Sequence, residues 1–146
     1  MAVTQAEGED RIIPGNAASV DPRLPFAGLA QAGGGGFLTR FQVSQTKAPL
    51  LEKLTFIDTP GILSGDKQHD RHYNFPAVTK WFAERSARII LLFDAHKLDI
   101  SDEFSVVIKE ALKNQENKVR IVLNKVDQVS EQDLMRMYTF DVSHQE

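Results

Sequence analysis

From residue 37 onward, short apolar runs alternate with segments of helical spacing. Leu54-Thr55-Phe56-Ile57, Ile89-Ile90-Leu91-Leu92-Phe93 and Val119-Arg120-Ile121-Val122-Leu123 are strand-sized, and Asp58, Asp94 and Asn124 close them in turn. The pattern predicts strands over 37–43 (Phe37, Phe41 and Val43 on one face), 50–57, 88–94 and 119–123. It predicts helices over about 75–87, with Val78, Trp81 and Phe82 as the apolar side, and from an N-capping Ser101 through Phe104, Val107, Ile108, Ala111 and Leu112. Ser130-x-x-Asp133 has capping-box form and opens a last helix, with Leu134, Met137 and Tyr138 facing inward. Residues 61–74 read as loop. Residues 1–36, with Pro14, Pro22, Pro25 and the run Gly33 to Gly36, read as an irregular segment with a short extended piece at Ala17 to Val20 and a flexible glycine turn.

Strand–helix alternation from residue 50 predicts an α/β fold with a parallel sheet covered by helices on both faces. Functional residues then belong at the carboxyl ends of strands, where Asp58, Asp94 and Asn124 stand. Composition narrows the function classes. The 146 residues suffice for one ordinary domain. A net charge of −3 argues against a dedicated nucleic-acid binder. With no cysteine there is no thiolate metal site, disulfide or cysteine nucleophile. No secretory signal is visible and the longest apolar run is too short to cross a bilayer, so the expected location is soluble and intracellular.

The strand-ending motifs carry the chemistry. In Asp58-Thr59-Pro60-Gly61, an aspartate closing a buried strand suits Mg²⁺, which needs few protein oxygens when phosphates supply the rest. Gly61, without a Cβ, lets backbone and N–H approach a terminal phosphate, and the loop after it would order and release with that phosphate. In Asn124-Lys125-Val126-Asp127, the Asp127 carboxylate can accept two parallel hydrogen bonds from a base edge. Asn124 can tie the base to neighbouring loops, and the Lys125 stem can lie over the base plane. Together they are the metal/phosphate and base-reading elements of a P-loop nucleotide site. The third element, the phosphate-cradling G-x-x-x-x-G-K-[ST], does not occur in the sequence, and the glycine run does not supply it. His69, Asp70 and His72 match no metal-ligand spacing, and His96 reads as a strand-end polar residue.

The run Leu54 to Gly65, the segments Tyr73 to Val78 and Lys80 to Arg85, the stretch Leu91 to Ser105, and Val122 to Asp127 with Leu134 to Tyr138 resemble the EH-domain-containing (EHD) family of dynamin-like ATPases. Pro14-Gly15-Asn16-Ala17, Val20-Asp21-Pro22 and Pro25-Phe26 extend the resemblance to about residues 11–138. It implies a P-loop NTPase-like, dynamin-type G domain that binds ATP with Mg²⁺, forms homo-oligomers through G domains, and remodels endocytic and recycling membranes. It implies a cytoplasmic protein peripheral to endosomal or plasma membrane, attached through regions outside this sequence. Asp58, Thr59 and Gly61 would belong to the metal/γ-phosphate switch, with Asp58 and Gly61 catalytic; Asn124, Lys125 and Asp127 would form the base pocket. The division expected is an irregular segment 1–36, a partial G domain 37–140 and a divergent tail 141–146. The resemblance places the P-loop and its strand upstream of Met1, between the strands ending at Asp58 and Asp94. The chain alone is therefore expected to expose two strand edges, to be poorly stable, to bind nucleotide weakly or not at all, and to be inactive. A GTP-binding dynamin-like fragment and a non-enzymatic interaction module are the alternatives.

Overall fold

Strand β1, Ala2–Gln5, runs through the middle of a four-stranded sheet of order β2-β3-β1-β4 in the computed structural model, which describes residues 1–63, 71–96, 101–133 and 135. Its inward positions carry Ala2 and Thr4, 0% and 7% exposed. Small and polar residues on the core face give no apolar alternation, so the polar N-terminus does not announce a strand. Strand β2, Arg11–Pro14, leads into a single helical turn, α1, Gly15–Ala18, where the extended piece had been expected. Helix α2, Leu29–Leu38, takes in the whole glycine run. Gly34, at φ 64° and ψ −177°, breaks its regular path, a conformation suited to a residue without Cβ.

The strand expected over 37–43 is displaced. Phe41 donates its N–H to the Phe37 carbonyl at 3.0 Å, a helical i to i−4 bond, and strand β3 begins only at Gln42 and ends at Thr46. Phe37, Phe41 and Val43 are nevertheless all buried: the burial reading holds and the backbone reading does not. The strand expected over 50–57 shrinks similarly. Pro49 starts a 3₁₀ turn, Pro49–Glu52, and strand β4 is Phe56–Ile57 alone. β1 pairs parallel with β3 (Ala2 opposite Val43) and antiparallel with β4 (Ala2 opposite Ile57), while β2 pairs antiparallel with β3. The sheet is mixed, and β4 is one of its edges.

Helix α3, Phe75–Arg85, is close to its predicted span. The Asn74 side chain accepts the Ala77 N–H at 3.0 Å, Pro76 sits in the first turn, and Val78, Trp81 and Phe82 are buried. The core is aromatic: the Phe37 and Phe41 rings stack at 5.6 Å, Phe26 meets Phe41 edge-on at 5.2 Å, and Trp81 meets Phe82 edge-on at 5.1 Å. Burying each such side chain stabilises the fold by roughly 1.5–3 kcal/mol. Ser101 caps helix α4, Asp102–Val106, by accepting the Phe104 N–H. The helix then widens into a π turn, Val107–Ala111, with Leu112 N–H bonded to the Val107 carbonyl. Its buried stripe is Glu103, Val107 and Ala111, while Ile108 is exposed.

These elements form one compact unit, residues 1–85 and 101–113; residues 86–100 and 114–146 form a second. In the second, β5, Ile89–Asp94, pairs parallel with β6, Val119–Asn124, as expected of buried α/β strands. The uninterrupted apolar sequence is not matched by cover on both faces: Ile90, Leu92 and Ile121 are 65%, 63% and 55% exposed. Ser130 and Asp133 make the predicted cap, with the Asp133 N–H 3.2 Å and its carboxylate 2.6 Å from Ser130 Oγ. Leu134, Met137, Tyr138, His69 and Asp70 lie outside the described residues. No helix among the described residues is long and apolar enough to cross a membrane.

Candidate functional site

Asp58 is the first residue past β4, held there by the β1–β4 ladder. Its N–H donates to the Met1 carbonyl at 2.8 Å, and its carbonyl accepts from the Met1 ammonium at 2.6 Å. Burial lowers the pKa of that ammonium, and the Asp58 carboxylate partly offsets the effect. From Asp58 to Gly61 the chain is exposed and helps line a cavity of about 360 Å³, together with Phe37, Tyr73, Phe75 and Phe82. Among the described residues no donor reaches the Asp58 carboxylate. Its oxygens are therefore available to a hard cation, and Mg²⁺ fits that donor chemistry. Among the described residues nothing lies within 4 Å of the position a Gly61 Cβ would take, so from their side the backbone is open to approach.

The loop is fixed from behind by a pair that the sequence does not advertise. Arg71 and Glu103 form an ion pair at 2.9 Å with both side chains 7% exposed. Arg71 Nη2 donates to the Gly61 carbonyl, Nη1 donates to Tyr73 Oη at 3.0 Å, and the guanidinium lies 4.0 Å from the centre of the Phe75 ring. Glu103 accepts the Leu63 N–H at 2.5 Å. A lone arginine in a polar loop carries no pattern. Glu103 reads in sequence as an acid favouring a helix N-terminus, and only its i, i+4, i+8 relation to Val107 and Ala111 hints at burial.

In the second unit, parallel pairing sets Asp94 opposite Asn124 at the carboxyl ends of β5 and β6. Ala95 N–H donates to the Asn124 carbonyl at 3.0 Å, and the Asn124 side chain accepts the Lys125 N–H at 3.0 Å. Lys125 takes left-handed backbone, φ 60°, which turns the chain into the Val126–Gln128 3₁₀ turn. Lys125 Nζ reaches Asp94 Oδ2 at 2.5 Å, and the His96 N–H donates to Asp94 Oδ1 at 3.0 Å. The Lys125 bond, then the His96 bond, hold the Asp94 carboxyl below its ordinary pKa. Asp94 thus steers Lys125, a role the sequence reading had not given it. Asp127 is exposed, and among the described residues no donor reaches its carboxylate, leaving both oxygens free to accept from a base edge. Asp58, Thr59 and Gly61 thus lie together in one unit, and Asn124, Lys125 and Asp127 in the other.

A family model described as the dynamin family matches residues 6–126. EH domain-containing protein 3 of Homo sapiens is 62% identical over 139 residues, which are 94% of this chain and 25% of that protein. EH domain-containing protein 1 of Bos taurus is 62% identical over 128 residues, 87% of this chain and 24% of that protein. The chain therefore spans about a quarter of the length of these curated relatives.

Proposed function

Because the chain belongs to the dynamin family, we propose that it is part of an EHD-like, nucleotide-dependent protein that remodels endocytic and recycling membranes, with ATP as the nucleotide. The observation that carries this reading is the Asp58 carboxylate, which no donor reaches among the described residues, at the end of β4 and in the lining of a cavity. Asp58 holds Mg²⁺, directly or through water. Thr59 and Gly61 face the terminal phosphate, Gly61 presenting its backbone N–H. Asp127 accepts from the base edge, Asn124 braces the turn, and Lys125, steered by Asp94, lays its stem along the base. Held by Asp58, Mg²⁺ would supply positive charge against the phosphate oxygens. A partial G domain that takes in residues 1–36, because β1 and β2 share a sheet with β3 and β4, belongs to the same reading, as do the tail 141–146, self-association through G domains and peripheral attachment to endosomal or plasma membrane by other parts of the protein.

The test is calorimetry with Mg-ATP and Mg-GTP on two proteins. One is the chain itself; the other is the chain extended ahead of Met1 by the G-x-x-x-x-G-K-[ST] strand and loop of an EH domain-containing relative. The extended protein is expected to bind Mg-ATP, Asp58→Ala to weaken binding at least about tenfold, and Asp127→Ala to weaken selection of the base. Failure of the extended protein to bind either nucleotide would sink the reading. A preference for Mg-GTP would establish the second reading, a GTP-binding dynamin relative, which the two free oxygens of Asp127 favour.

A further inference from the structure

Among the described residues, the Arg71–Glu103 ion pair is the one with both side chains buried, at 7% exposure each; the Arg23–Asp21, Arg85–Glu84 and Lys125–Asp94 pairs are all more exposed. Burying two charges is costly unless geometry and further hydrogen bonds compensate, so a buried pair is informative through what else it holds. Here it holds the backbone of the Asp58–Leu63 loop. Arg71 Nη2 bonds the Gly61 carbonyl and, at 3.1 Å, Glu103 Oε2; the same carboxylate oxygen accepts the Leu63 N–H. Tyr73 and Phe75 hold the guanidinium from its other sides, at Nη1 and over the ring face. Three stretches meet at these two charges: the loop after β4, the approach to α3 and the first turn of α4.

We propose that Arg71 and Glu103 are positioning residues, a charged clamp that makes the conformation of the Gly61–Leu63 backbone and that of the first turn of α4 one variable. The clamp deepens the phosphate-facing reading of Gly61 and rests on it for its purpose. A ligand drawn to the Gly61 N–H pulls on a residue whose carbonyl is already bound to Arg71. Through Arg71 and Glu103, the pull reaches Leu63 and α4. Among the described residues nothing packs where a Gly61 side chain would stand, and the contacts that hold its backbone are those of the clamp.

Amide hydrogen exchange on the 146-residue chain without nucleotide tests the clamp, comparing wild type with Glu103→Gln, Arg71→Lys and Arg71→Ala. Glu103→Gln keeps the shape and an acceptor oxygen, and Arg71→Lys keeps the charge without the fork, so both conservative variants are expected to fold. The Leu63 amide is expected to exchange about tenfold faster or more in Glu103→Gln. Arg71→Ala, which removes no partner of that amide, should accelerate it too, together with the Phe104 amide in α4. Arg71→Lys should fall between wild type and Arg71→Ala. The faster exchange should be insensitive to urea below the unfolding transition, and the β5–β6 amides should not change. A uniform, urea-dependent rise would mean general destabilisation and overturn the clamp. An unaltered Leu63 amide in both conservative variants would overturn it as well. Since no nucleotide is present, either failure leaves the calorimetric test of the phosphate reading untouched, and failure of that test leaves the clamp standing.

Discussion

Lys125 sits in left-handed backbone, φ 60°, which costs a residue with a side chain about 1–2 kcal/mol. The turn is tied by the Asn124 side chain at its N–H and by Asp94 at its ammonium. Because the Asp94 pKa is depressed, the tie is fully present above the ordinary carboxylate range and is lost as pH falls through the lowered value, well into acid. Lys125→Met is expected to return the Asp94 titration upward toward the ordinary aspartate value, read by carboxyl carbon NMR; an unshifted midpoint would mean the ammonium does not hold it. Glycine positions divide by space. A Cβ on Gly15 would lie 2.4 Å from the Leu38 carbonyl oxygen and 2.8 Å from that of Phe41, both backbone, whereas among the described residues a Cβ on Gly35 meets nothing within 4 Å. Gly15→Ala should therefore destabilise by about 1–3 kcal/mol. Gly35→Ala, inside α2, should stabilise by about 0.5–1 kcal/mol. Urea melts of the two variants check both signs.

At the scale of elements, α3 was legible because everything that defines it is local: Asn74 as cap, Pro76 in the first turn, and Val78, Trp81 and Phe82 at helical spacing. Ser101 was legible as a cap for the same reason. β1 was not, because a central strand whose inner positions are Ala2 and Thr4 has no hydropathic period, and its pairing partners lie about forty and more residues away. Phe37 and Phe41 misled in an instructive way: a spacing of four fits one face of either a strand or a helix, and the Phe41 N–H bond to Phe37 decides for the helix. α3 docks through Phe82, whose ring lies 6.3 Å from Phe37 and 6.0 Å from Phe41. Phe82→Ala should cost about 3–5 kcal/mol, seen as a fall in urea midpoint without change in slope. A loss below about 1 kcal/mol would show that this aromatic cluster is not what anchors the helix.

At the scale of the whole molecule, β4 pairs only with β1, and β5 only with β6, among the described residues. Each is an edge strand, and β5 with β6 leaves Ile90, Leu92 and Ile121 largely exposed. Unpaired edges and bare apolar faces favour association. The chain alone, lacking a phosphate-cradling loop in its sequence, is accordingly expected to show no micromolar dissociation constant for Mg-ATP or Mg-GTP. Calorimetry on the unextended protein checks this, and tight binding would show that the two motifs suffice without it. Local pattern and short motifs are enough to encode the α3 register, the caps at Ser101 and Ser130, the strand-ending Asp58, Asp94 and Asn124, and the family. Tertiary structure alone decided the place of β1, the mixed pairing of the first sheet, the Lys125 tie to Asp94 and the buried Arg71–Glu103 pair. Those contacts join residues 31 and 32 positions apart for the two ion pairs, a distance at which charge and hydropathy along the chain carry no record of who will meet.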